Sequence, residues 1–136
     1  MMRILQPPDW AKPRGYANGI AVRGGTTVYI AGQVGWVSEN VWEAKDFAGQ
    51  FRQALKNILA VLAQAGGRPE HIVRMTWYVI DREEYLASLK AVGAAYRELM
   101  GRHYPAMSVV QVGGLVEDLA RLEIEATAVI PDPVQS

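Results

Sequence analysis

Two stretches of this chain carry apolar residues at the spacing of an α-helix, and this restricts the fold more than any other feature. The first stretch spans residues 43–65, where apolar side chains recur at every third or fourth position. They are Phe47, Phe51, Ala54, Leu55, Ile58, Leu59 and Leu62. Gly66 and Gly67 follow, and glycine readily adopts the left-handed conformation that ends many helices. The pattern predicts one long amphipathic helix.

The second helical stretch begins after Asp81. Asp81 and Glu84 have the spacing of a capping box, which is a helix-start pattern. The apolar stripe that follows comprises Tyr85, Leu89, Val92, Tyr96 and Leu99. Gly101 is placed to end this segment. The sequence therefore predicts a second helix with a single apolar face.

The remaining apolar stretches alternate as strands do. They occupy residues 20–23, 27–31, 72–80, 107–112 and 122–130, and the stretch at 72–80 is rich in β-branched and aromatic residues. The first two flank Gly24 and Gly25 and are predicted to form a hairpin. In the strand at 72–80, one face is predicted to consist of Val73, Met75, Trp77 and Val79.

This order of elements predicts an α+β domain in which two helices cover one face of a mixed sheet. The other face of the sheet is then left without a helix layer. Its candidate outward residues are Arg74, Thr76, Tyr78, Glu123 and Glu125. A partly apolar face of this kind is a natural oligomer surface.

Composition limits the class of protein. The 136 residues suit one domain spanning 1–136, and fourteen basic residues balance fourteen acidic ones, so no bulk charge favours nucleic acid or an anionic membrane. No apolar run approaches the roughly 18 residues of a membrane span, and no secretion signal is evident at the start. We expect a cytoplasmic protein. With no cysteine and two separated histidines, we expect no metal site and no cofactor.

Five short segments, taken in order, resemble the YjgF/RidA family of reactive-intermediate deaminases. They are residues 14–19, residues 29–34, residues 53–58 with the Ala65-Gly66 pair, residues 103–106 and residues 122–126. The resemblance covers nearly the whole chain. It implies a chorismate-mutase-like fold assembled as a homotrimer, with clefts for a small-molecule ligand between subunits. It also implies hydrolysis of enamines and imines derived from amino acids, with release of ammonia.

The resemblance also assigns candidate site residues. Those that match the family's cleft are Tyr16, the backbone at Gly32 and Val109, the position of Met107, and Glu123. Tyr16 and Glu123 are the candidate catalytic residues. Glu123 is a candidate because a carboxyl group can hold the attacking water and transfer protons, and Tyr16 because it matches the family's cleft tyrosine.

Two further residues near Gly32 are candidates for binding the ligand. Trp36 offers a ring that could stack on a ligand, although a tryptophan at an oligomer interface is as common. Gln33 offers an amide that could contact the ligand or satisfy backbone groups of its own loop.

The chain departs from the family pattern at two positions. Met107 stands where the family has an arginine, and Gly93 aligns with an asparagine that many members carry. An arginine binds a carboxylate with a rigid fork of donors, whereas a thioether offers an apolar surface. Loss of such a pair typically costs about 2–5 kcal/mol of binding. We therefore expect 2-aminoacrylate to be a poor substrate unless another cation, such as Arg14 or Arg102, reaches the cleft.

Three functions remain open from the sequence. The first is an imine or enamine hydrolase whose substrate carries a neutral or aromatic recognition group. The second is a non-catalytic trimer that binds a metabolite or partner, in which Glu123 and Glu125 are simply solvated strand residues and Met107 an apolar wall. The third is an endoribonuclease, which zero net charge and the lack of a histidine pair disfavour.

Overall fold

The computed structural model describes residues 2–133 of the chain. Its strands are β1 (Met2–Leu5), β2 (Gly19–Val22), β3 (Thr26–Val34), β4 (Ile72–Val79), β5 (Ala106–Gln111) and β6 (Leu122–Ile130). Its helices are α1 (Phe47–Gln64), α2 (Arg82–Ala87) and α3 (Leu89–Met100), with a short 3₁₀ turn at Pro69–His71. The mixed α+β architecture predicted from the sequence is confirmed.

The main sheet has four strands in the order β3-β6-β4-β5. β6 runs antiparallel to both β3 and β4, whereas β4 and β5 are parallel. β1 and β2 form a separate two-stranded sheet. Among residues 2–133, β4 is the only strand that pairs along β5, so β5 forms an edge of the main sheet, with a single bridge from Ala106 to Ala17.

The predicted hairpin of β2 and β3 is wrong, because β2 pairs with β1 and β3 pairs with β6. The turn itself exists, since Gly24 and Gly25 have φ values of 68° and 79°. A Cβ atom at Gly25 would lie 2.5 Å from the carbonyl oxygen of Ile130. The turn therefore lies against the end of β6, and β3 continues from it as the partner of β6.

Helix α1 begins at Phe47, four residues later than predicted. The side chain of Asp46 caps it by accepting a hydrogen bond from the Gly49 backbone N–H over 3.3 Å. The predicted apolar face is buried, with Phe51 and Leu55 inaccessible to solvent. Gly66 follows the helix with φ of 79°, as expected for a glycine beyond a helix end.

The second predicted helix is divided into α2 and α3 at Ser88. Asp81 caps α2 as predicted, because its carboxylate accepts hydrogen bonds from the N–H groups of Glu83 and Glu84. The Glu84 carboxylate is held by Arg121 in a bidentate pair, with a shortest N–O distance of 2.7 Å. The Ser88 hydroxyl donates to the Glu84 carbonyl over 2.8 Å, a side-chain bond that competes with helical geometry.

One core lies between the helices and the main sheet. In β4, Met75, Trp77 and Val79 are buried as predicted. Val73 is only partly buried, and Ile72 occupies the core instead, because the register of β4 against β6 shifts between Ile72 and Arg74. This bulge reverses the alternation at the start of the strand.

The opposite face of the main sheet has no helix layer among residues 2–133. The predicted outward residues lie there, and Tyr29 on the same face is 81% exposed. The Tyr78 hydroxyl donates to the Glu125 carboxylate over 2.5 Å across the neighbouring strands. We refer to this surface as the open face. No helix in the described part of the chain has the length and apolar character needed to cross a membrane.

Candidate functional site

A cavity of about 550 Å³ lies between the edge strand β5, helix α3 and the segment that precedes β2. The segment is attached to the start of the strand, because the Ala17 N–H donates to the Pro105 carbonyl over 3.0 Å. This attachment places Tyr16 near Met107 and Val109. These three of the predicted site residues line the cavity.

Aromatic side chains form much of the cavity wall. Tyr96 and Tyr104 stack with ring centres 5.5 Å apart, and the ring centre of Trp77 lies 6.2 Å from that of Tyr96. The Tyr96 hydroxyl donates to the His103 carbonyl over 2.5 Å. Burial, with a smaller contribution from Tyr104, raises the pKa of Tyr96 far above its ordinary value. Tyr96 therefore stays a neutral hydrogen-bond donor rather than an acid-base group.

Both departures from the family pattern lie at this cavity. Met107 on β5 and Gly93 on α3 line it, and so do the guanidinium-bearing residues Arg14 and Arg97. Arg102, the other cation considered from the sequence, is not among the lining residues. The Arg97 Nη1 atom lies 3.3 Å from the position that a Cβ atom at Gly93 would occupy. The missing side chain at Gly93 therefore leaves room for the guanidinium.

Glu123 lies directly over Gly32. A Cβ atom at position 32 would overlap a Glu123 carboxylate oxygen, so glycine allows this close approach without displacing the carboxylate. Removal from water raises the pKa of the Glu123 carboxyl, and the negative charges of Glu125 and Glu117 raise it further. A carboxyl whose pKa is raised holds its proton closer to neutral pH, as a general acid must.

The predicted site residues fall into two groups on opposite faces of the main sheet. Val109 pairs with the buried Trp77, so Val109 and Met107 face the helices. Glu123 follows the opposite alternation from its buried neighbour Ile124 and lies on the open face. Within one chain, Glu123 and Gly32 therefore do not line the cavity formed by Tyr16, Met107 and Val109.

Gln33 and Trp36 make local contacts beside Gly32. The Gln33 side-chain amide donates to the Ala31 carbonyl over 3.2 Å. The Trp36 ring packs edge-on against Trp42 at 5.6 Å, and the Trp36 carbonyl accepts from the Asn57 side chain over 2.8 Å. Neither residue lines the cavity, and their roles in ligand binding stay predictions.

The sequence reasoning missed Arg97 and the aromatic wall of Trp77, Tyr96 and Tyr104. A signal for Arg97 was present, because it follows Gly93 by four residues and such residues share a helix face. Trp77 was predicted on one face of a strand and Tyr96 in the apolar stripe of the second helix, and both are buried. Trp77 and Tyr96 therefore belong to the core and also line the cavity.

The two histidines serve backbone hydrogen bonding. His103 Nε2 lies 2.6 Å from the Ile72 carbonyl, and His71 Nδ1 accepts from the Arg68 N–H over 3.0 Å. Within residues 2–133, no three histidine, aspartate or glutamate side chains are grouped as a metal site requires.

The sheet order, the single helix layer and the cavity at the β5 edge define a two-layer α+β domain with a concave site beside an edge strand. Residues 11–130 match the family described as Endoribonuclease L-PSP. The chain belongs to this family, which is also known as the YjgF/RidA family.

Similar proteins of known name include deaminases. The chain is 32% identical to a 2-iminobutanoate/2-iminopropanoate deaminase of Salmonella typhimurium over 84% of its own length and 86% of the relative's. It is 34% identical to a RutC family protein of Pyrococcus horikoshii, covering 94% of this chain and 98% of that one.

Solved structures show the same fold. A protein of the conserved Rid family, YyfB from Yersinia pestis, superposes with a TM-score of 0.83 at 30% identity, covering 95% of this chain and 98% of that one. The YjgF gene product of Escherichia coli gives a TM-score of 0.65 at 33% identity, with coverage of 84% and 87%.

Proposed function

We propose that the protein is a RidA-like hydrolase that acts on an imine or enamine with a specificity different from that of relatives carrying the cleft arginine. The observation that carries the proposal is Glu123, a carboxyl with a raised pKa lying over Gly32. The deaminase name of a relative at 32% identity supports the reaction class. Tyr16, which matches the family's cleft tyrosine, lines the cavity.

The chemistry needs one carboxyl group that both accepts and donates a proton. In the proposed reaction, ionised Glu123 takes a proton from water as the water oxygen bonds to the imine carbon. The carboxyl returns that proton to the nitrogen, which gives a carbinolamine. Glu123 then takes the proton of the carbinolamine hydroxyl and delivers it to the nitrogen as the C–N bond breaks, leaving a carbonyl compound and ammonia. The overall change is addition of one water and release of one ammonia per substrate.

The site proposed here requires more than one copy of the chain. Glu123 lies on the open face, and the cavity lies on the helix side of the sheet. A second copy docked on the open face would bring its cavity edge to Glu123 of the first. The lack of a helix layer on that face within residues 2–133 and the exposure of Tyr29 support a homotrimer with clefts between subunits.

A second candidate is a non-catalytic trimer that binds a metabolite or partner. It is favoured by the two departures at one cavity, because Met107 and Gly93 both replace polar side chains of the family pattern. An endoribonuclease is least supported, because the net charge is zero and both histidines are engaged with backbone groups.

Substitution of Glu123 by glutamine tests the proposed reaction. Imines would be generated in place from alanine, leucine and phenylalanine by an amino-acid oxidase, and ammonia release would be followed. We expect Glu123→Gln to lower turnover by about 100-fold or more with little change in binding, because glutamine keeps the shape but carries no exchangeable acid proton. Glu125→Gln, two residues along the same face, is the matched control.

Sedimentation equilibrium of each variant completes the test. The wild type is expected to sediment as a trimer, and Glu123→Gln should remain one. A stable monomer at micromolar concentration would contradict the proposed cleft between subunits. Unchanged turnover in a trimeric Glu123→Gln variant would overturn the role of Glu123, whereas a trimeric wild type with no turnover on any of these imines would favour the binding protein.

A further inference from the structure

The cavity beside β5 contains positive charge and no compensating negative charge. Among its lining residues, Arg14 and Arg97 are charged, and the others are apolar, aromatic or glycine. Neither arginine has a salt-bridge partner in the described chain. Four other arginines do pair with a glutamate: Arg52 with Glu98, Arg68 with Glu70, Arg82 with Glu83 and Arg121 with Glu84. The cavity arginines are therefore free to bind an anion.

Helix geometry directs Arg97 along the cavity wall. A helical side chain leans towards the N-terminus of its helix, so Arg97 lies over the turn that contains Gly93. Its Nη1 atom lies 3.3 Å from the position of a Cβ atom at Gly93. Met107 lines the same cavity from the strand side. The cavity thus lacks a cation on strand β5 and has one on helix α3.

We propose that Arg97, assisted by Arg14, binds the carboxylate of a substrate with a large apolar or aromatic side chain. The substrate class rests on the proposed function, whereas the anion site does not. A guanidinium binds a carboxylate through two parallel charge-assisted hydrogen bonds. A cavity of about 550 Å³ is in the range of sites for drug-sized ligands, roughly 300–1,000 Å³. A three-carbon imino acid would leave most of that volume unfilled.

The residues of the cavity wall favour an apolar or aromatic side chain on the ligand. With its carboxylate on Arg97, an aromatic side chain would lie among Tyr96, Tyr104 and Met107, all of which line the cavity. Aromatic pairs and sulfur–aromatic contacts are both favourable in such surroundings. The sequence-based expectation of a neutral or aromatic recognition group is therefore replaced in this proposal by a bulky acid whose carboxylate is held from the helix side.

Binding of stable acids tests the anion site without any turnover. Isothermal titration of the full chain would use 3-phenylpropionate, its neutral amide 3-phenylpropanamide, and propionate as the short acid. We expect the wild type to bind 3-phenylpropionate at least about tenfold more tightly than either comparison compound. Arg97→Gln should abolish the preference for acid over amide. Arg102→Gln, which removes a guanidinium outside the cavity, should leave it unchanged.

The outcomes separate this proposal from the proposed reaction. Equal binding of acid and amide by the wild type, no binding of the acid at millimolar concentration, or an unchanged preference in Arg97→Gln would overturn the anion site. Acid binding that depends on Arg97, in a protein that hydrolyses none of the imines, would uphold the site and overturn the hydrolase. Thermal unfolding of each variant would verify that it is folded.

Discussion

Replacing Gln50 by leucine should destabilise the protein and displace the loop that leads to Glu123. Gln50 is a polar side chain only 2% exposed, on the inward face of α1. Its amide donates to the carbonyls of Ala44 at 3.3 Å and Leu119 at 3.0 Å. Its oxygen accepts from the Arg121 N–H at 2.8 Å. This one residue therefore attaches both the approach to α1 and the loop before β6.

The magnitude follows from these three hydrogen bonds. A typical intramolecular hydrogen bond contributes about 1 kcal/mol net, and a buried group left without a partner costs about 1–3 kcal/mol. Leucine has a similar volume, so we expect a loss of about 3 kcal/mol in the free energy of unfolding. For a chain of this size, that corresponds to a Tm lower by roughly 10–15 °C.

Urea and thermal unfolding followed by circular dichroism would measure the effect. Gln53→Leu is the matched control, because Gln53 lies on the same helix and its side chain has one hydrogen bond within the described residues, to Asn57 at 2.9 Å. We expect that control to change stability by less than about 1 kcal/mol. A loss below 1 kcal/mol in Gln50→Leu would refute the reasoning, since it would mean that the loop finds other partners.

Two further predictions concern the charges of the site. Met107→Arg should tighten binding of a short acid such as propionate by about tenfold or more, measured by calorimetry; no gain would mean that Arg14 and Arg97 already repel a third guanidinium. Burial raises the pKa of Glu123 above 4.5, so the stability linked to its proton is present below pH about 4.5 and lost as pH rises through the folded-state pKa. In urea titrations from pH 4 to pH 7, Glu123→Gln should therefore gain stability relative to wild type as pH rises, and a decline would contradict this.

The sequence predicted those features that depend on local patterns. Apolar periodicity located the buried face of α1, and Asp81 and Gly101 marked helix ends that the structure confirms. The division at Ser88 was missed, because it depends on a hydroxyl-to-carbonyl hydrogen bond rather than on hydrophobicity. The pairing of β2 was also missed, because its partner β1 has only four residues, which is too short for alternation to predict a strand.

The candidate site, like the fold, was predicted only in part. Tyr16, Met107 and Val109 were predicted from the family resemblance, and the fold brings all three to one cavity. Arg97 was missed, because identifying it requires knowing which helix face borders that cavity. Strand alternation places Glu123 on the opposite face of β6 from Ile124. That Glu123 and Met107 lie on opposite faces of the same sheet becomes evident only when β5 and β6 are assigned to one sheet.

The division of the site between two faces of one sheet has a consequence for mixtures of chains. In the proposed trimer, each cleft takes its cavity from one subunit and Glu123 from its neighbour, so a defect in one chain need not inactivate every cleft. Co-assembly of equal amounts of Glu123→Gln and Arg97→Gln chains would leave about a quarter of the clefts with both groups intact. Two impaired variants would then partly restore activity to each other, as in complementation between alleles of a single gene.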